Sequence, residues 1–345
     1  MMEDRAEERP GRAKRIRAIV GFVIGSLLLV AAVWVAYTQE RALTEGLSSL
    51  RDARWWLVAL ALVLPIANLL VVSVGFWLLN NLRGRVGIGE MTALIFSAWL
   101  LNFLPMRPGM FGRIAYHKKY NGIGIKTSAR VLIETLVLSG CSMFLLGCIG
   151  LALAGADVAS TLVWSVALGL PLALTSIAWI FAPARQTRAY AGAAAMKYTD
   201  MLIWTARYWV VFQLIGTPLG VREAVAVAFV SQIALLIPLV GNGLGLREWA
   251  IGLLAASLPA WFDKSGGGSA GIGLTADLVN RAAELLVAVP TGILGTVLVA
   301  RFARQHAAFP TPMSPTPASQ IPACPIDTAL QPSPRPESPP PTGTP

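Results

Sequence analysis

The 345-residue sequence is 55% hydrophobic and only 13% charged, with a formal net charge of +10. A soluble domain carries about 25% charged residues, so the deficit excludes an ordinary soluble core. The 28 Lys and Arg residues fall between apolar runs, where membrane topology determinants belong, and this argues against nucleic acid as a partner.

Residues 1–15 are charged and polar and read as a basic cytoplasmic leader. The apolar run that follows, Ala18–Tyr37, is longer than the 7–15-residue core of a signal peptide. It is expected to be an uncleaved first span, since a crossing helix needs roughly 20 apolar residues. Trp55 and Trp56 open a second span ending near Leu79 and sit where an interfacial aromatic belt would place them. Met91–Met106 is uncharged but short, and Pro105, Pro108 and Gly109 follow at or just beyond its end. A helix cannot continue through that stretch, so it reads as a re-entrant or broken helix. The basic stretch Arg113–Arg130 is expected to be a loop region.

A third span is predicted over Val131–Leu153 and a fourth over Thr161–Phe181. Arg185, Arg188 and Lys197 are assigned to the loop before a fifth span, Thr199–Ile215. Ala224–Val240 is apolar, Gly241–Glu248 interrupts it, and Trp249–Phe262 is apolar again but short, a second re-entrant hairpin. A Gly/Ser loop, Ser265–Gly273, precedes the last span, Leu278–Ala300. The tail beyond Phe309 holds 13 of the 23 prolines and is expected to be disordered or polyproline II.

The expected fold is therefore all-α: a polytopic transmembrane bundle of about six full spans plus two broken helices, with an inverted repeat suggested. Residues 1–15 form the leader, 16–305 the membrane domain and 306–345 the cytoplasmic tail. With both termini inside, 20 Lys and Arg residues lie on the cytoplasmic side and five outside, a strong positive-inside bias. That bias supports the orientation with both termini cytoplasmic.

Two broken helices entering from opposite faces match the way transporters build a substrate site near the bilayer midplane. Irregular backbone at that depth is tolerated only where protein or a wet cavity covers it, so the two breaks are expected to share one cavity. Ionisable residues at membrane depth cost roughly 2.5–3.5 kcal/mol each. The candidates are Arg107, Arg113, Glu134, Asp200, Arg207, Arg247, Glu248, Asp277, Arg281 and Glu284. Arg130 with Glu134, and Asp277 with Arg281 and Glu284, have the spacing of local helix pairs. Arg107, Arg247 and Glu248 sit at the breaks, where an arginine fork suits phosphate. His117 and His306 are read as interfacial residues, and Cys141 and Cys148 as apolar fillers. No metal-ligand spacing, nucleophile elbow or phosphate loop occurs, so no cofactor, metal or catalytic residue is expected.

The run Asn102-Phe103-Leu104-Pro105-Met106-Arg107-Pro108-Gly109 with Arg113 resembles the first signature of the lysylphosphatidylglycerol synthase transmembrane-region family. This is a flippase-like membrane family of bacteria and archaea. Ile133-Glu134 resembles its following glutamate, Gly241–Glu248 its second signature, and Arg281 a further family arginine. The resemblance covers about residues 20–305. It departs at Met110, where the family has an acid, and at Gly241-Asn242, where it has Pro-Gly. No counterpart of the soluble aminoacyl-transferase domain of the best-known members is expected, because no soluble stretch here is long enough.

The resemblance implies a lipid flippase or lipid-linked transporter in a bacterial inner membrane. Its head-group site would comprise Asn102, Pro105, Arg107, Gly109, Arg113, Glu134, Gly243, Gly245, Arg247, Glu248 and Arg281. The arginines would hold an anionic phospholipid or lipid-linked substrate. Glu134 and Glu248 would balance them or bind a cationic substituent. An intramembrane lipid-modifying enzyme and an accessory scaffold for a lipid-synthesis enzyme stay open as alternatives. The protein partners left open are a second copy of the chain and a lipid-synthesis enzyme.

Overall fold

The computed structural model describes residues 53–103, 108–154, 161–236, 245–257 and 269–308. The leader, the first predicted span, the Pro-rich tail, and Pro105, Arg107 and Gly241–Gly243 at the two breaks lie outside these residues. Nine α-helices and no strands occur among the described residues: α1 Trp55–Asn80, α2 Ile88–Leu101, α3 Pro108–Tyr120, α4 Ile125–Ala154, α5 Thr161–Phe181, α6 Arg185–Leu214, α7 Val221–Leu236, α8 Leu246–Ser257 and α9 Ser269–Ala308. Within α1, α4, α5 and α9 lie stretches long and apolar enough to cross a membrane: Trp55–Asn80, Ile125–Leu153, Leu162–Phe181 and Ala270–His306.

Three segments read as loops are helical instead. The stretch 113–130 supplies most of α3 and the start of α4. Lys118, Lys119, Lys126 and Arg130 are exposed there while Arg113, Tyr116, His117 and Ser128 are buried. A charged face stops no helix when it points to water. Residues 185–198 begin α6, because the run Ala-Tyr-Ala-Gly-Ala-Ala-Ala is mostly the strongest helix former. Its small side chains pack on α1 and α5. The Gly/Ser loop gives way to α9 from Ser269, where Gly271–Asp277 is continuously buried and Gly273 packs on the backbone of α8.

At 40 residues, α9 is about 60 Å long, twice the hydrocarbon thickness. It therefore reaches beyond the apolar layer. It packs along α2 and α8 and also meets α1 and α6. Helix α6 runs through the middle, against α1, α4, α5, α7 and α9. Its Trp204, Tyr208, Val211 and Phe212 pack with Val225 of α7, Ile251 of α8 and Ala276 of α9. By contrast, α4 and α5 turn large apolar side chains outward, among them Phe144, Leu151, Leu162 and Phe181. In water such a surface would drive association. On a chain of this composition it is the lipid-facing wall.

Candidate functional site

Helix α2 stops at Leu101, and α3 starts on Pro108, whose missing N–H is harmless at a first helical position. Gly109 is buried where a side chain would run into the backbone of Ala98, so glycine there lets α3 close onto α2. Asn102 caps α2 through its N–H to Ala98 O at 2.9 Å, and its buried Oδ1 has no hydrogen-bond partner among the described residues. At the second break, Gly245 precedes α8 with φ of 79°. That is a left-handed conformation costing other residues about 1–2 kcal/mol.

The first turn of α8 then inserts Arg247 and Glu248, both fully buried. Arg247 Nε donates to Asp277 Oδ2 at 2.9 Å and its Nη1 to Glu284 Oε1 at 3.1 Å. Arg281 Nη2 donates to Glu248 Oε1 at 3.0 Å, and its Nη1 lies 3.6 Å from Glu284 Oε2. Arg207 of α6 donates to Glu284 Oε1 at 2.5 Å and to Asn280 Oδ1 at 2.8 Å. Its guanidinium lies 4.0 Å from the centroid of a Trp204 ring. Tyr208 donates to Asp277 Oδ1 at 2.9 Å and sits 2.7 Å from Ser231 Oγ of α7. Three arginines and three carboxylates thus balance within one apolar bundle. Among the described residues, Arg207 Nε and Nη1, Glu248 Oε2, Asn280 Nδ2 and Thr275 Oγ1 have no hydrogen-bond partner. The network is neutral overall but holds unused donors and unused acceptors.

A described residue flanking each break reaches this network. Glu248, just after the second, pairs with Arg281. Phe103, just before the first, carries the Arg281 guanidinium 5.9 Å from its ring centroid. Of the residues singled out in the sequence, Arg247, Glu248 and Arg281 come together here, with Gly245 beside them.

Glu134 lies elsewhere. It accepts from Arg83 at 2.5 Å and from Arg130 at 3.0 Å, tying α4 to the end of α1. Arg113 also stands apart, stacked 3.8 Å from the centroid of Phe76. Asp200 bonds Asn68 and is paired with Lys197 at 3.4 Å. Arg207, Asp277 and Glu284 were visible as charges in apolar sequence, yet local pairing understated them. The expected i, i+3 contact of Arg281 with Glu284 forms, while Asp277 turns to Arg247 of another helix. Among the described residues no cluster of three or more His, Cys, Asp or Glu could hold a metal.

The family model described as "Lysylphosphatidylglycerol synthase TM region" matches residues 19–201, more than half of the chain. The chain belongs to this family. The matched region includes Asn102–Gly109, Arg113 and Glu134 and ends inside α6. The second signature, Arg281 and the whole α6–α9 charge network therefore lie beyond it. The chain is also similar to Competence protein ComA of Neisseria gonorrhoeae, 31% identical over 210 residues. The match takes in 59% of this chain but only 24% of that protein's length. No solved structure matches.

Proposed function

We propose that the chain moves a lipid or lipid-linked substrate with an anionic head group across a bacterial cytoplasmic membrane, both of its own termini facing the cytoplasm. The observation that carries this reading is the convergence of both break flanks, Phe103 and Glu248, on Arg281 inside the charge network. A network held only for stability would be a poor use of six ionised groups, because well-packed apolar residues often do as well or better. Ionisable groups at membrane depth more often mark a substrate path.

Exchange of ion pairs supplies a mechanism. A phosphate entering between the breaks takes the Arg281 fork and displaces Glu248. The spare Arg207 nitrogens supply further donors. Glu248, released, becomes free to hold a cationic substituent or to take a proton. Each arginine always has an anion in reach, so the head group passes without an unpaired charge in hydrocarbon.

Purified full-length protein in proteoliposomes should move a fluorescent phosphatidylglycerol analogue to the opposite leaflet, read by quenching with a membrane-impermeant reductant. Arg281→Gln should abolish the movement, and Arg281→Lys should restore part of it, because a point charge lacks the bidentate fork. Equal rates in empty and protein-containing vesicles would end the proposal.

A further inference from the structure

Side chains near the end of a spanning helix meet the lipid head groups. The candidate spans Trp55–Asn80 of α1 and Leu162–Phe181 of α5 end at one place, an open groove of about 690 Å³. Trp77 and Asn81 line it from the end of α1, Trp179 and Ile180 from the end of α5, and Arg185 and Arg188 from the first turn of α6. None of these residues belongs to the α6–α9 network or to the two breaks. Ligand pockets run from about 300 to 1,000 Å³, so the groove has room for a phospholipid head group and its glycerol.

Hydrogen bonds fix one wall of the groove. Trp77 Nε1 and Asn81 Nδ2 both donate to the Val86 carbonyl at 3.0 Å, and Val86 N donates back to Asn81 Oδ1 at 3.1 Å. Opposite, Trp179 and Leu78 close over Gly192 of α6, where a Cβ would meet either side chain at 2.9 Å. Ile180 is 65% exposed and Phe181 beside it 75%, so the groove is continuous with the lipid-facing wall of α5. Its charge has one sign. Arg185 Nη2 donates to the Asn81 carbonyl at 2.6 Å, which holds the guanidinium against the groove. Among the described residues neither Arg185 nor Arg188 is ion-paired, and no carboxylate lines the groove. The first turn of α6 carries no acid, although a helix start favours acids and disfavours arginine.

We propose that this groove holds one anionic phospholipid as a resident ligand, separate from the lipid that the α6–α9 network would move. Its phosphate lies between Arg185 and Arg188, and its acyl chains run along the exposed side of α5 past Ile180. Two solvated arginines alone would need no groove. Here they stand over an aromatic-walled cavity at the depth where two spans end, and that combination suits an amphiphile with a negative head. A free phosphate would leave the apolar lining of Trp179 and Ile180 unused. Docked in this way, the lipid ties the α5–α6 connection to the end of α1. A ligand that binds only the folded state stabilises it, so the bundle becomes more stable as anionic lipid is added.

The test is native mass spectrometry of the full-length protein released from nanodiscs of mixed phosphatidylglycerol and phosphatidylethanolamine. The wild type should retain phosphatidylglycerol in preference. Arg185→Gln combined with Arg188→Gln should lower that preference about tenfold or more, the loss of two charges at the membrane surface. Both arginines are exposed, so the fold should tolerate the change. Arg185→Lys with Arg188→Lys should recover part of the preference, because the charge remains without the fork. Phosphatidylglycerol should also raise the unfolding temperature of the wild type more than that of the double-glutamine variant. On an Arg281→Gln background the same double substitution should produce the same drop, so the outcome is independent of the transport reading. An unchanged preference in the double-glutamine variant, or an equal loss of both lipids, would overturn the proposal.

Discussion

Removing Arg247 tests how the buried network is held together. Its side chain is fully buried and contacts two carboxylates, at 2.9 and 3.1 Å. At an effective dielectric of ~20, each contact is worth about 5–6 kcal/mol of gross attraction. Much of that offsets desolvation of the three ions. Among the described residues, Arg247→Leu leaves Asp277 with only the Tyr208 hydroxyl, while Glu284 keeps Arg207 and Arg281. Breaking a buried pair by losing one partner costs about 3–5 kcal/mol. Asp277→Leu added to Arg247→Leu removes the stranded charge and should recover more than ~1 kcal/mol of the loss. Reversible unfolding in mixed detergent–SDS micelles gives the four free energies of the cycle. If the two changes add to within ~0.5 kcal/mol, the pair is not coupled and the network as described is wrong.

Glu134→Gln should cost about 1–2 kcal/mol in the same unfolding assay through weaker bonds to Arg83 and Arg130, and should leave lipid movement unchanged. A transport loss would return Glu134 to the head-group site. Gly245→Ala should destabilise by about 1–2 kcal/mol because of its positive φ. A neutral result would mean the turn before α8 is not the one seen.

Much of the fold was legible because lipid imposes few solutions: long apolar runs such as Trp55–Asn80 and Thr161–Phe181 must be helices. Two of the three misreadings share one cause. Charge density was taken as loop in 113–130 and 185–198, where one helix face meets water and the other is buried. The breaks were legible from Pro105, Pro108 and the glycines around Gly245, and with them Arg247, Glu248 and Arg281. The larger part of the network was not. Spacing reports neighbours on one helix, and so it paired Asp277 with Arg281. The actual partner, Arg247, arrives on α8, and Glu284 is reached by Arg207 from α6. Such partnerships follow from helix packing, which sequence periodicity does not encode. Glu134 shows the converse, since its local partner Arg130 was visible and its second partner Arg83 was not.

The central claim is that both breaks form one head-group site, and a pair of engineered cysteines tests it most directly. Leu104→Cys and Leu244→Cys, each next to a residue that flanks the Arg281 network, would be combined in a chain lacking Cys141, Cys148 and Cys324. A short bifunctional methanethiosulfonate should join them in the membrane, and phosphatidylglycerol should slow the reaction relative to phosphatidylcholine. Efficient labelling of each cysteine alone with no cross-link between them, or a cross-linking rate indifferent to the anionic lipid, would contradict the account.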